Sequence, residues 1–371
     1  MEQRNIGIAL SGGGIRAMIF HLGFFKWLAE NSFLEQVKRI STVSGASLCV
    51  GMVYAHNNLK WPSNNEFLTS VMPAIETALI ADLQYSAIRE FLRSPRYWNK
   101  KVNIIAKVLE SKWGVHGKLS QLLGEAMWYI NCTTYETGKR FRFCRENMGD
   151  YIIGYVKNPD IPLSDVMAAS AGYPGFIGPY VLETQNYIWT PSKYSRDKLK
   201  PQGNRLLHLW DGGIYDNLGI ESVYKPDNGG TLSEGVDFLI VSNASAPIEL
   251  RSNRKGDCSI KRLKRILSIS QDQVTALRTR SVMDYIKNTG QGMYIKIGNS
   301  AEKISRESGC PEDLKTQLVD SCLAAEYVKK AMDYPTTLKK PTKEDFRLLL
   351  RHGFEVAECT YRCYYQRAHE S

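Results

Sequence analysis

No stretch of this 371-residue chain reaches the ~18 to 20 uninterrupted apolar residues that cross a bilayer. The longest candidate, around Met18 to Leu28, is broken by His21 and Lys26, so any membrane contact is expected to be peripheral. The N-terminus, Met1-Glu2-Gln3-Arg4-Asn5, carries no apolar signal core ahead of a small-residue cleavage site, and a cytoplasmic protein is the expectation. The eight cysteines form no Cys-x-x-Cys pair and no Cys/His cluster of zinc spacing. Free thiols are expected, and Cys359 and Cys363, four apart in a helical stretch, suit packing. Repeats, low-complexity blocks and a Gly-Lys-Ser/Thr phosphate loop are absent. Acid is in deficit: 38 Asp and Glu against 48 Lys and Arg leave a formal charge of +10. That balance favours phospholipid surfaces, nucleic acid or nucleotides as partners without choosing among them. Histidine is sparse too, at six, which leaves few candidates of that type for a general base.

What is present begins with length enough for a full core without staples. The strand-like Ile6-Gly7-Ile8-Ala9-Leu10 leads into a glycine loop and a helix carrying Phe20, Leu22, Phe24, Phe25, Trp27 and Leu28. A second strand over 40–43, a sharp turn and a helix over 48–53 complete the start of a βαβ sheet with a parallel core. Residues 60–123 turn to helical periodicity and read as an insertion over the sheet. Strands are expected at 128–133 and 140–143 around the hairpin turn Glu136-Thr137-Gly138-Lys139, and a short helix at 164–170 with Ser164 as its N-cap. Residues 190–204 read as an exposed loop. Strands at 206–210, 238–242 and 293–297, a long helix to about residue 286 and a final helix after Lys339-Lys340-Pro341-Thr342 complete the pattern. One elaborated α/β domain over 1–371 is the economical description, with a core of about 5–245 and a helical elaboration over 246–371.

Three short strings carry chemistry. Ser47, in Gly45-Ala46-Ser47-Leu48-Cys49, would lie between strand and helix, where a nucleophile elbow exposes a hydroxyl. In Ser11-Gly12-Gly13-Gly14-Ile15-Arg16 the glycines follow a strand and open a helix, so their N–H groups could face a developing oxyanion. Arg16 is placed to steady an anionic intermediate or a phosphate. Asp211 precedes Gly212 and Gly213, which leave its carboxylate unobstructed. A serine hydroxyl needs a base to take its proton. His21, His56, His116, His352 and His369 stand in unremarked settings; His208 shares a strand with Asp211, and a Ser-His-Asp triad stays open on the residues alone. A carboxylate acting directly needs fewer parts, and would bring Asp211 within ~2.6 to 3.2 Å of Ser47. Each string also has a plainer reading. Asp-Gly is a hairpin signal, the serine string lacks the last glycine of Gly-x-Ser-x-Gly, and Gly12-x-Gly14-x-x-Ala17 matches a dinucleotide fingerprint. A nucleotide-binding regulatory protein using the Gly12 to Ala17 loop is therefore the alternative. Against it, the following strand ends in the serine turn rather than in an acidic ribose-binding residue.

Taken together, Ser11-Gly12-Gly13-Gly14-Ile15-Arg16, Gly45-Ala46-Ser47-Leu48-Cys49 and Asp211-Gly212-Gly213-Ile214-Tyr215-Asp216-Asn217-Leu218-Gly219 resemble the signature blocks of the patatin-like phospholipase family. Ala168-Ala169-Ser170-Ala171-Gly172-Tyr173-Pro174-Gly175-Phe176 resembles its fourth segment, and the likeness covers about residues 5 to 245. The resemblance implies a three-layer α/β/α sandwich with a mainly parallel central sheet. It also implies a serine-dependent phospholipase or carboxylic ester hydrolase that works through an acyl-enzyme without metal or cofactor. By position it implies Ser47 as nucleophile, Asp211 as base, and Gly12, Gly13 and Gly14 as the oxyanion hole with Arg16 beside it. One departure stands out: Cys49 occupies the place where the family has glycine two residues after the nucleophile, and Cys49 is itself a further nucleophile the residues leave open. A phospholipid membrane surface is the expected partner and substrate, met by the basic stretches 193–200 and 251–264. There is room for a small-molecule or protein activator that no motif marks, and nucleic acid is not expected.

Overall fold

In the computed structural model, which describes residues 3–93, 101–172, 178–195, 205–227, 229–248 and 259–366, every residue of the first strand, β1 (Ile6–Leu10), is buried. Burial on both faces follows from helices covering the sheet on either side. Ile6, Ile8 and Leu10 enter the larger apolar cluster and Ala9 the smaller one, as the two-residue period of a strand requires. The later strands of the main sheet are β2 (Val37–Val43), β3 (Met127–Thr134), β4 (Arg140–Phe143), β5 (Asn147–Asp150), β6 (Gly154–Lys157), β7 (Tyr180–Glu183), β8 (Trp189–Thr190) and β9 (Leu206–Asp211). After a two-stranded ribbon, β10 (Tyr224–Lys225) with β11 (Thr231–Leu232), come β12 (Phe238–Asn243) and β13 (Gly292–Lys296).

The sheet runs β13-β12-β1-β2-β3-β4-β5-β6-β8, with β9 joined to β3 and β7. From β13 to β3 every pair is parallel, and from β3 outward every pair is antiparallel. It is a mixed sheet with a parallel centre flanked by helices, as expected. The strands β5 to β8 were not legible in the sequence, being only two to four residues long, with turn-like glycines in β5 and β6.

The helices begin with α1 (Gly14–Glu30) and α2 (Gly45–Ala55). The insertion holds α3 (Asn64–Glu66), α4 (Met72–Ala78), α5 (Leu83–Arg93) and α6 (Lys101–Trp113). Next come α7 (Leu163–Ser170), α8 (Gly213–Asp216) and α9 (Ser259–Thr289), then α10 (Ala301–Ser308), α11 (Glu312–Ser321), α12 (Ala325–Met332) and α13 (Lys343–Tyr361). Two starts differ from expectation. The helix expected from residue 48 begins at Gly45, and α7 begins after Pro162, so that Ser164 is buried inside it and caps nothing. Of the expected basic loops, residues 196–204 and 249–258 lie outside the described residues. Among the described residues no helix is long and apolar enough to cross a membrane.

The C-terminal elaboration is built into the core. Helix α13, N-capped by Thr342, crosses α1 at backbone contact: a Cβ added to Gly353 would stand 2.0 Å from the Phe20 carbonyl oxygen, and one added to Gly23 1.9 Å from that of Leu350. Trp27 Nε1 also donates to Glu358 at 2.7 Å. Gly353→Leu is expected to force the two helices apart and destabilise the protein by about 3 kcal/mol. An unchanged urea midpoint would contradict this crossing.

Candidate active site

Strand β3 sets the geometry. Along one edge, Ile130 to Thr133 pair with β4, so β2 and β9 must share the other. Strand β2, parallel, ends with Val43 opposite Asn131. Strand β9, antiparallel, arrives from the far end and stops with Asp211 opposite Cys132, the next residue along. The two strand ends therefore meet, and the residue that follows Val43 is delivered beside Asp211. That residue is Ser44.

Ser44 takes φ 55°, ψ −122°, a left-handed conformation unusual outside glycine, and α2 starts at the next residue. This is a strained strand-to-helix turn of the kind that a nucleophile elbow uses. The following Gly45 packs on the glycine loop, where a Cβ would lie 2.1 Å from the Gly14 carbonyl oxygen. The elbow expected at Ser47 is thus three residues earlier. Because α2 begins at Gly45, Ser47 falls in its first turn, fully buried, with Oγ 2.8 Å from both Thr42 Oγ1 and Ser170 Oγ. Cys49 lies deeper in the same helix, its thiol pKa pushed up by burial. With Ser44 at the turn, the position two residues on is Ala46, so the departure from glycine moves from Cys49 to a smaller side chain.

Proton counting orders the hydroxyls beneath the elbow. Ser170 donates its one proton to the Asn131 carbonyl at 2.8 Å, so it accepts from Ser47 and also from the Ser44 N–H at 3.0 Å. Ser47, having donated, accepts from Thr42, which itself accepts from Trp128 Nε1 at 2.9 Å. This one-way chain fastens the strained Ser44 backbone to strands β2 and β3. Ser47 therefore supports the elbow from below, its hydroxyl buried and engaged by Thr42 and Ser170.

Asp211 is buried, and the Gly213 N–H donates to its Oδ1 at 2.8 Å. Oδ2 is buried with no hydrogen-bond partner among the described residues. Burial raises the carboxyl pKa to about 6, against the opposing pull of the Ser44 hydroxyl and the Gly213 N–H. The Ser44 hydroxyl is thus near enough to act on the carboxylate, while Oδ2 still waits for an aligned donor, a common arrangement before substrate binds.

The glycine loop lies against the other side of Ser44: a Cβ on Gly12 would stand 2.9 Å from Ser44 Cβ. The Gly12 N–H donates to Asn217 O at 3.2 Å and that of Ile15 to Thr337 O at 2.9 Å. Between them, Gly13 (φ 148°) and Gly14 (φ 64°) have N–H groups with no backbone acceptor among the described residues. Of the three glycines expected to form an oxyanion hole, Gly13 and Gly14 keep their donors and Gly12 does not. Asn217, not singled out in the sequence, bonds Ser245 Oγ at 2.7 Å, and its Oδ1 fills the space where a Cβ on Gly12 or on Gly213 would stand.

Arg16 departs from expectation. Its buried Nε donates to Ala244 O at 3.1 Å and its Nη1 to Tyr334 O at 2.5 Å, and burial lowers its pKa to about 10. Two of its nitrogens thus fix the frame around the loop, while Nη2 stands 3.0 Å from where a Cβ on Gly13 would lie. His21 does similar work. Its Nε2 donates to Ser11 O at 3.0 Å, so Nδ1 accepts from Ser242 Oγ at 3.1 Å, in a neutral ring whose pKa burial drops to about 4. His208, three residues before Asp211 on one strand, points to the opposite face and binds Glu136 at 2.7 Å. His56 contacts Trp113 O and His352 the Gly298 N–H. Among the described residues no histidine contacts Ser44 or Asp211; His369 lies outside them. Likewise no group of acidic, histidine or cysteine side chains among them could hold a metal.

A serine at a strained elbow, a buried carboxylate beside it and free backbone donors on its other flank can together run acyl transfer. The family model described as patatin-like phospholipase matches residues 8–224. Among solved structures the chain is similar to human GIVD cytosolic phospholipase A2, at 13% identity and TM-score 0.52, over 98% of this chain and 63% of that one. A second structure of that enzyme, with methyl gamma-linolenyl fluorophosphonate and terbium chloride, aligns at 15% identity and TM-score 0.49 over 99% and 59%. VipD from Legionella pneumophila aligns at 12% and 0.42 over 98% and 67%. The chain thus spans less than two thirds of the human enzyme, and the likeness carries the fold alone. No curated protein sequence matches it.

The Asp211 carboxyl has a sign to its linkage. With its folded pKa raised to about 6 from 3.8, it favours the folded state at low pH and loses that contribution as pH rises through about 6. Above that, the buried charge costs up to about 3 kcal/mol. Asp211→Asn, neutral at every pH, is expected to be more stable than the parent by up to that amount above pH ~6, and to lose its advantage in acid. Thermal midpoints that stay equal across pH would refute the buried ionisation.

Proposed function

The chain belongs to the patatin-like phospholipase family, and from that premise we propose that it is a serine-dependent lipid acyl hydrolase with a Ser44/Asp211 dyad. The observation that carries this reading is the left-handed Ser44 turn beside a buried carboxylate whose Oδ2 has no partner among the described residues. Asp211 Oδ2 takes the Ser44 proton as Oγ attacks the ester carbonyl. The N–H groups of Gly13 and Gly14, at the positive end of the 17-residue α1, hold the tetrahedral oxyanion. Collapse releases the alcohol, protonated by Asp211, and leaves an acyl-Ser44 ester. Water, deprotonated by the same carboxylate, then frees the fatty acid. The dyad calls for neither metal nor cofactor, and phospholipids of a membrane surface are the substrate that fits the family.

The rival nucleotide reading meets an obstacle at the same loop. Of the loop's N–H groups, those of Gly12 and Ile15 are already held by the Asn217 and Thr337 carbonyls, which leaves only Gly13 and Gly14 for a pyrophosphate, and a Cβ on Gly14 would fall 2.6 Å from Thr337 O. A fluorophosphonate ester separates the two, because it labels a hydrolase at Ser44 and leaves a sensor unlabelled.

Ser44→Ala is expected to abolish both labelling and ester turnover, lowering kcat by at least about a thousandfold. Ser47→Ala should keep its Ser44 adduct, found by peptide mass spectrometry, and lose only about tenfold through a looser elbow. An adduct on Ser47 would overturn the assignment. Turnover should also fall as pH drops below about 6, following protonation of Asp211.

A further inference from the structure

Two helices tied to the candidate site turn apolar side chains outward. Helix α9 holds the base side: Gln271 Nε2 donates to Gly213 O at 3.2 Å, and Arg278 bonds Glu221 at 2.6 Å and approaches Asp216 at 3.4 Å. Its opposite face, at successive steps of three and four residues, carries Arg262, Ile266, Ile269, Gln273, Leu277 and Arg280, all exposed. Ile266 is 64% exposed, and Leu263 beside it 68%. Helix α5 holds the oxyanion side through the strap 334–340. Gln84 N–H donates to Leu338 O, and Thr337 Oγ1 donates to Gln84 Oε1 at 3.0 Å. The Thr337 carbonyl in turn accepts from Ile15 at the head of α1. Helix α5 packs inward with Leu83 and Ala87 and presents Tyr85, Ile88 and Arg89 to solvent.

A surface helix of a water-soluble face is polar on its outer side; these two set isoleucine, leucine and tyrosine there among the polar residues. On the N-terminal half of α9 the exposed residues from Arg262 to Leu277 include no Asp or Glu. The sequence entering it, 251–264, holds six Lys and Arg against Asp257 alone. Apolar side chains interleaved with arginine match a surface that is anionic at its headgroups and hydrocarbon just beneath.

We infer that α5 and the N-terminal half of α9 form a docking face for an anionic phospholipid bilayer, one helix linked to the oxyanion loop and the other to the base turn. This deepens the proposed function and rests on it for the substrate, though not for the binding itself. Seated there, the bilayer would press on the elements that hold Gly14 and Asp211 in register.

The test uses the full chain sedimented with phosphatidylcholine vesicles, with and without phosphatidylserine, alongside turnover of a soluble short-chain ester. Wild type should bind the anionic vesicles at least about tenfold more tightly, and salt should weaken that binding. Ile266→Glu with Ile269→Glu, and separately Tyr85→Glu with Ile88→Glu, should each weaken it by about tenfold or more. The uncharged pair Ile266→Ser with Ile269→Ser should weaken it in the same direction. All variants should keep soluble-ester turnover, since none touches the dyad. Wild-type binding that ignores lipid charge, or any pair that binds like wild type, overturns the docking face. If wild type hydrolyses no soluble ester yet the vesicle pattern holds, the docking face stands and the hydrolase reading falls.

Discussion

The structure around the site depends on how two strands divide one edge. Strand β3 offers β2 the positions up to Asn131 and β9 those from Cys132 onward, with no residue left between. The left-handed turn at Ser44 is what stops β2 at Val43; one more paired residue would occupy the place of Asp211. A backbone conformation that costs of order 1 to 3 kcal/mol therefore does more than expose a hydroxyl. It clears the ladder for the strand that brings the carboxylate.

The surroundings offset that strain with polar contacts. Trp128, Thr42, Ser47 and Ser170 pass one direction of hydrogen bonding down to the Asn131 carbonyl, and the Ser44 amide joins it. His21 and Arg16 fasten the glycine loop to β12 and to the strap. Buried polar atoms are normally paired, and here nearly all of them are. Among the described residues Asp211 Oδ2 is one of the few that are not, on a carboxylate that the Ser44 hydroxyl influences.

Much of this was legible in the sequence. The run Ile6-Gly7-Ile8-Ala9-Leu10 matches β1 residue for residue, and the Asp211-Gly212-Gly213 turn ends a strand as read. The strand-to-helix turn stands three residues before the serine where it was expected, for a physical reason: Gly45 and Ala46 suit a turn as well as a helix start, and Ser44 and Ser47 both have small neighbours. The usable signal was a serine directly at the strand end with Gly45 and Ala46 after it. What decides between the two is tertiary, the register of β2 on β3 and the contact of Gly45 with Gly14. Arg16 was expected to steady an anionic intermediate or a phosphate, and in the structure the carbonyl oxygens of Ala244 and Tyr334, more than 200 positions away in the chain, accept from two of its nitrogens. No local pattern reveals such partners.

The Thr337 carbonyl on Ile15 and the Tyr334 carbonyl on Arg16 lie beyond residue 224, where the span matched by the family model ends. A gene fragment cut at that boundary would encode Ser44, Asp211 and every glycine of the loop, yet leave the head of α1 without two of its acceptors and its flank without α13. In this chain the inherited unit is smaller than the mechanical one, and a working transplant of the site would have to carry the strap along with the signature blocks.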